Sequence, residues 1–148
     1  MKRKFLYEIM EDIKASEDLK TTLFLYLDEA RGFKTLIDVI YNNKYYYEFD
    51  KSIMKTTPRS KRDNGGFPTA WLDVVKVLNN KLIHSTNLSS RVPDYYIKAC
   101  KDCNYKDVEI LNFALLHRNL PGFQGARKKI LLNLLKEYYG EGDEQEAV

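Results

Sequence analysis

Cys100 and Cys103 stand in ACKDCNY at a C-x-x-C spacing, which both redox pairs and zinc sites use. A redox pair of this kind belongs at a helix N-terminus, where the helix dipole lowers the thiol pKa. Here the motif falls late in a helical stretch, where the dipole opposes a thiolate. A structural zinc needs four ligands, and the only histidines, His84 and His117, form no H-x3-5-H pair. The pair therefore reads as two half-buried small thiols, with no metal. Either histidine as a general base would need an orienting partner and a nucleophile. No G-x-S-x-G, phosphate-binding loop or H-E-x-x-H occurs. Asp94 follows Pro93, as in many metal-dependent nucleases, but no acidic-x-Lys element follows it; Asp12-Ile13-Lys14 has that form yet lies upstream on a helix. The expectation is a protein that is not an enzyme, with no catalytic residue and no cofactor.

More contact chemistry lies between residues 42 and 63. NNKYYYEFD sets three tyrosines and a phenylalanine among charges, and the chain then turns basic at KSIMKTTPRSKRD. In an alternating strand Tyr45, Tyr47 and Phe49 share one face while Tyr46 and Glu48 take the other. Lys55, Arg59, Lys61 and Arg62 would neutralise a few phosphates, and exposed tyrosines would stack on bases. Tyr and Arg are also the residues enriched in protein interfaces. A solvated loop beside a packed aromatic wedge is the plain alternative. Among contact surfaces, protein docking ranks ahead of nucleic acid, and Tyr45, Tyr46, Tyr47, Lys55, Arg59, Lys61 and Arg62 are its expected residues.

The elements around this stretch carry a helical period. Phe5, Leu6, Ile9, Met10 and Ile13 recur at spacings of one, three and four and make one apolar stripe. Ser16 reads as the cap of a second helix, with Leu19, Leu23, Phe24 and Leu27 inward and Gly32 near its end. Phe33, Leu36, Ile37, Ile40 and Tyr41 form a third stripe. The period fails from 44 to 68, where YYYEF favours a strand and Thr, Pro, Asn and Gly favour turns. Helices resume with Thr69 as cap and Trp71, Leu72, Val75 and Leu78 inward. Pro93 suits the first turn of a helix burying Tyr96, Ile97 and Cys100, and Asn104 caps one burying Val108, Leu111, Ala114 and Leu115. Ala126 to Tyr139 forms a last helix with Ile130, Leu131, Leu134 and Leu135 apolar, stopped by Gly140. The reading is an all-α single domain of six or seven helices over residues 1–140, with one extended insertion at 44–68 that is able to hold a short β-hairpin.

A chain of 148 residues is of the size that buries one sizeable core without staples. No apolar run approaches the length of a membrane span, and acidic residues break up the start MKRKFLYEIMEDIK. Two cysteines suit a reducing compartment. The expected location is a cytoplasm. The net charge of +3 hides an asymmetry: EGDEQEAV, residues 141–148, holds four acids and no base, leaving 24 basic against 17 acidic residues before it. That tail is expected to be disordered, and the basic body suits an acidic protein surface or nucleic acid.

In this order of elements the chain resembles a family of small proteins of T4-like tailed bacteriophages, known only as a domain of unknown function. The residues that carry the likeness are KFLYEIMEDIKASEDLKTTLFLYLDE, the helix ending in NNKYYYEFD, the Pro58-containing extended stretch, and LNFALLHRNLPGFQGARKKILLNLL. The resemblance spans roughly residues 2–136 and implies a phage protein acting in host cytoplasm. It supplies no catalytic residues. Small phage proteins of this kind commonly bind and redirect a host machine, so it implies a non-enzymatic factor that inhibits or modulates a host protein complex, including a defence complex. A nucleic-acid-binding accessory factor in phage transcription or replication is the alternative, and a leftover apolar stripe would also serve a homodimer.

Overall fold

The computed structural model describes residues 4–41, 65–84 and 92–140. These residues form seven α-helices and no strand: α1 (Leu6–Ala15), α2 (Leu19–Glu29), α3 (Arg31–Tyr41), α4 (Ala70–His84), α5 (Val92–Ala99), α6 (Tyr105–His117) and α7 (Ala126–Tyr139), with a 3-10 turn at Cys100–Asp102 after α5. The all-α expectation holds. Helices that follow one another pack together, α1 on α2, α2 on α3, α3 on α4 and α4 on α5, and α6 returns to lie against α1. Each contributes a stripe to one continuous core: Leu6, Ile9, Met10 and Ile13 from α1, Phe33, Leu36, Ile37 and Ile40 from α3, and Val108, Leu111, Ala114 and Leu115 from α6.

Local chemistry differs from the sequence reading at two joints. Ser16 closes α1 instead of opening α2; it is extended, and its hydroxyl donates to the Asp18 carbonyl at 2.9 Å. Asp18 is the cap of α2, accepting from the Thr21 amide at 3.2 Å and its hydroxyl at 2.7 Å. A carboxylate at a helix start answers both the free amide and the helix dipole, so it prevails over a nearby serine. Gly32 does not end a helix but lies inside α3. A Cβ there would come within 2.0 Å of Leu72 Cδ2, so its lack of a side chain lets α3 and α4 approach closely.

The start of α1 shows how distant parts of the chain are joined. Its cap position is Phe5, which has no side-chain oxygen. Glu8 reaches back to the Phe5 amide at 3.0 Å, and the Tyr7 amide donates instead to Asp107 Oδ1 of α6 at 2.8 Å. A residue a hundred positions away thus does the work of a local cap. Asp107 is fully buried, and its Oδ2 has no hydrogen-bond partner. Burial pushes its carboxyl up to about 6, against the pull of the Tyr7 and Leu6 amides.

Because the fold raises this pKa above its ordinary 3.8, the folded state binds the proton more readily than the unfolded chain. The contribution of Asp107 to stability therefore rises as pH falls from 6 to 3.8 and is lost as pH climbs through that window. Asp107→Asn keeps an acceptor for Tyr7 and removes the titration. Urea unfolding of both proteins from pH 7 to pH 4 should show the wild type gaining about 3 kcal/mol on the variant across that range, as an upper bound. Parallel pH profiles would mean that Asp107 is not held in this way.

Candidate docking surface

The seven residues singled out for partner contact, Tyr45, Tyr46, Tyr47, Lys55, Arg59, Lys61 and Arg62, lie outside the described residues. The end of that same stretch, Gly65 to Phe67, is described, and it is fastened to the junction of α5 and α6. Asn104, whose Oδ1 caps α6 through the Lys106 amide at 2.8 Å, donates from Nδ2 to the Gly65 carbonyl at 2.8 Å. The Phe67 amide donates to the Asp102 carbonyl at 3.1 Å, and the Phe67 carbonyl accepts from Ala70 at 3.0 Å, which starts α4. Between them Gly66 has φ +78°, and a Cβ on it would stand 2.5 Å from Asn104 N and 2.7 Å from the Cys103 carbonyl carbon. Only glycine fits such a left-handed residue pressed onto another backbone.

This fixed backbone holds the Phe67 ring in solvent: its exposure of 62% is the largest among the exposed large hydrophobics described. An aromatic left uncovered while its main chain is tied down at both ends has little conformational freedom to lose on binding. Sequence periodicity did not single it out. The signal was present in GGFP, where two glycines and a proline leave the ring no helical neighbours to pack on.

The C-x-x-C pair flanks the turn whose backbone, at Asp102 to Asn104, Gly66 rests on. Cys100 and Cys103 are fully buried, more deeply than the half-buried placement expected from sequence, and both are free thiols. The Cys103 amide donates to the Cys100 carbonyl at 3.1 Å. The hydrogen bond with Cys100, then burial, push the Cys103 thiol well above its ordinary range. Tyr96 lies beside them, its hydroxyl donating to Asn112 Oδ1 in the same buried pocket, and burial raises it too. These are packing groups with small polar tips. Ile97, expected inward, is 41% exposed, because Tyr96 and Cys100 already occupy the face of this short helix that meets the core.

The remaining candidates stay apart from one another. The His84 side chain lies outside the described residues, and His117 is exposed with its ring 4.5 Å from Phe113. Asp94 is exposed on α5. Asp12 accepts from Lys4 at 2.9 Å and from the Tyr26 hydroxyl, and those two hydrogen bonds lower its pKa. Lys4 is itself held there, since the Trp71 indole donates to its carbonyl at 2.9 Å. Among the described residues no group of three or more His, Cys, Asp or Glu side chains is arranged to hold a metal ion, and no helix is long and apolar enough to cross a membrane.

The described residues thus define an all-α fold with one aromatic, Phe67, exposed on an anchored backbone. Comparison with protein-family models, with curated proteins and with solved structures gives no match.

Two outcomes check this geometry. Gly66→Ala should destabilise the protein by at least about 2 kcal/mol in chemical unfolding, because a left-handed alanine must also displace backbone; an unchanged midpoint would contradict the close approach. Iodoacetamide followed by mass spectrometry should leave Cys100 and Cys103 unmodified in the native protein and alkylate both in denaturant. Rapid native labelling would show that the thiols are not buried as described.

Proposed function

We infer that this chain acts by binding rather than by catalysis, and that it docks on another protein through Phe67 and the tyrosine- and arginine-bearing stretch that leads into it. The observation that carries the reading is the combination at Phe67 of a rigidly seated main chain and an uncovered ring. Aromatic anchors on pre-organised backbone supply much of the binding energy at protein interfaces, and arginines beside them add directed hydrogen bonds. Lys55, Arg59, Lys61 and Arg62 stand just before this anchor in the chain.

The resemblance to proteins of T4-like phages supports a partner class: a host protein complex that the chain inhibits or modulates in the host cytoplasm, a defence complex foremost. The partner side of such a contact would present an apolar pocket for the ring, rimmed by acids for the arginines.

Affinity purification from a bacterial host, with wild type and Phe67→Ser compared side by side, tests this. The ring is already in water, so the variant should unfold at the wild-type midpoint, while recovery of the wild-type partner falls at least tenfold, a loss of about 1.4 kcal/mol. Arg59→Ala combined with Arg62→Ala should weaken recovery further. The same partner recovered at the same yield from Phe67→Ser would remove the basis of this reading.

A further inference from the structure

A second surface belongs to the loop after α6 and to α7. From Ile110 to Lys136 the chain contains no Asp or Glu, while Arg118, Arg127, Lys128, Lys129 and Lys136 supply five cations. Arg127, Lys128, Lys129 and Lys136 are exposed. The described ion pairs involve Lys4, Lys20 and Lys34, so these α7 cations have none among the described residues. Lys14, at the end of α1, joins them: its side chain lies over Gly122, where a Cβ would come within 2.8 Å of its Cε.

The surface is held firmly. Tyr41, at the end of α3, donates to Asn119 Oδ1 at 2.7 Å and accepts from the Leu120 amide at 2.9 Å. Asn119 donates to the Phe123 carbonyl at 2.5 Å, and Leu120 and Phe123 are fully buried. Arg127 lies 5.2 Å above the Phe123 ring, which orients its guanidinium. The first turn of α7 carries Arg127, Lys128 and Lys129 with no acid, and its cap Gly125 makes no side-chain hydrogen bond. Cations there oppose the positive end of the helix dipole. This placement works against the helix and leaves a positive field that no ion pair among the described residues neutralises. Lys129 and Lys136, seven positions apart, fall on one side of the helix about 10 Å apart along its axis and extend the field past the first turn.

We propose that this surface, made by Lys14, Arg127, Lys128, Lys129 and Lys136, binds the sugar-phosphate backbone of a nucleic acid without reading its sequence. Lysine is depleted in protein interfaces, whereas phosphates accept it readily as a point charge. The set is rich in lysine and extended rather than pocketed, and the chain from Ile110 to Lys136 carries no acid, which suits a linear polyanion better than a folded acidic protein. This proposal stands apart from Phe67 and survives or fails independently of it.

The test is fluorescence anisotropy of the full chain with a labelled random-sequence duplex DNA across a salt series. Neutralising three or four phosphates predicts log K falling with log salt at a slope of about −3. Lys128→Glu with Lys129→Glu should weaken binding at least tenfold at low salt and cut the slope by about 2. The thermal midpoint of that variant should match or exceed the wild type, since it places acids at a helix start. Lys98→Glu with Lys101→Glu, the same charge change on exposed residues of α5 and the 3-10 turn, should leave binding within twofold. Polyglutamate at equal total charge should compete at least tenfold less well than unlabelled DNA. Absence of binding at low salt, equal loss in the control pair, or equal competition by polyglutamate, which would mark an acidic protein as the occupant, would each overturn the proposal.

Discussion

The frame depends on a carboxylate that is expensive to bury. Asp107 sits with no solvent contact between the first turns of two helices, its own α6 and α1 across the core. It is tolerable there because both helix starts present positive dipole ends and because the Tyr7 amide would otherwise be an orphan donor. The arrangement fixes α1 against α6, elements a hundred residues apart, and so closes the series of neighbouring helix pairs into one body. The alternative, a Ser or Asp at position 5, would cap α1 locally without tying it to anything. Three further long-range bonds repeat this device: the Trp71 indole to the Lys4 carbonyl, the Tyr41 hydroxyl to Asn119, and the Leu120 amide to the Tyr41 hydroxyl.

With the frame closed in this way, two features of the surface are not needed for it. Phe67 contributes little to the core while its backbone is tied at both ends. α7 buries Leu131 and Leu135 and engages α2 and α3 mainly at its far end, where Tyr138 donates to Asp28 at 2.6 Å, Tyr139 donates to Asp38, and Tyr138 meets Phe24 edge-on with centroids 5.2 Å apart. Its first half leaves Ile130 at 51% and Leu132 at 36% exposure among cations that have no ion pair among the described residues. Local stability and surface chemistry pull in opposite directions at this helix start, which is where function is expected to leave its mark.

Much of the fold was legible from periodicity. The stripes of α1, α3 and α6, the Asn104 cap, the limits of α7 and its stop at Gly140 all appear where apolar spacing and cap chemistry place them. What escaped was tertiary. Nothing in the local sequence says that Asp107 caps another helix, or that Gly32 is small because Leu72 lies against it. Ile130 is one of four apolar residues of α7 expected inward; Leu131, Leu134 and Leu135 meet the core, whereas Ile130 is 51% exposed. The contact residues drawn from tyrosine and arginine content fall outside the described residues. The one next to them, Phe67, is distinguished only once its backbone anchorage is seen.

Residue-resolved native-state hydrogen exchange measures the closed frame and its open surface together. The Tyr7 amide, half-buried and bonded to the buried Asp107, should exchange only through opening that approaches global unfolding. The amides of Ala126 to Lys128, which have no acceptor within the helix, should exchange orders of magnitude faster. A Tyr7 amide that exchanges as fast as those of α7's first turn would mean that α1 is not fastened to α6, and the frame on which both surfaces are mounted would not exist as described.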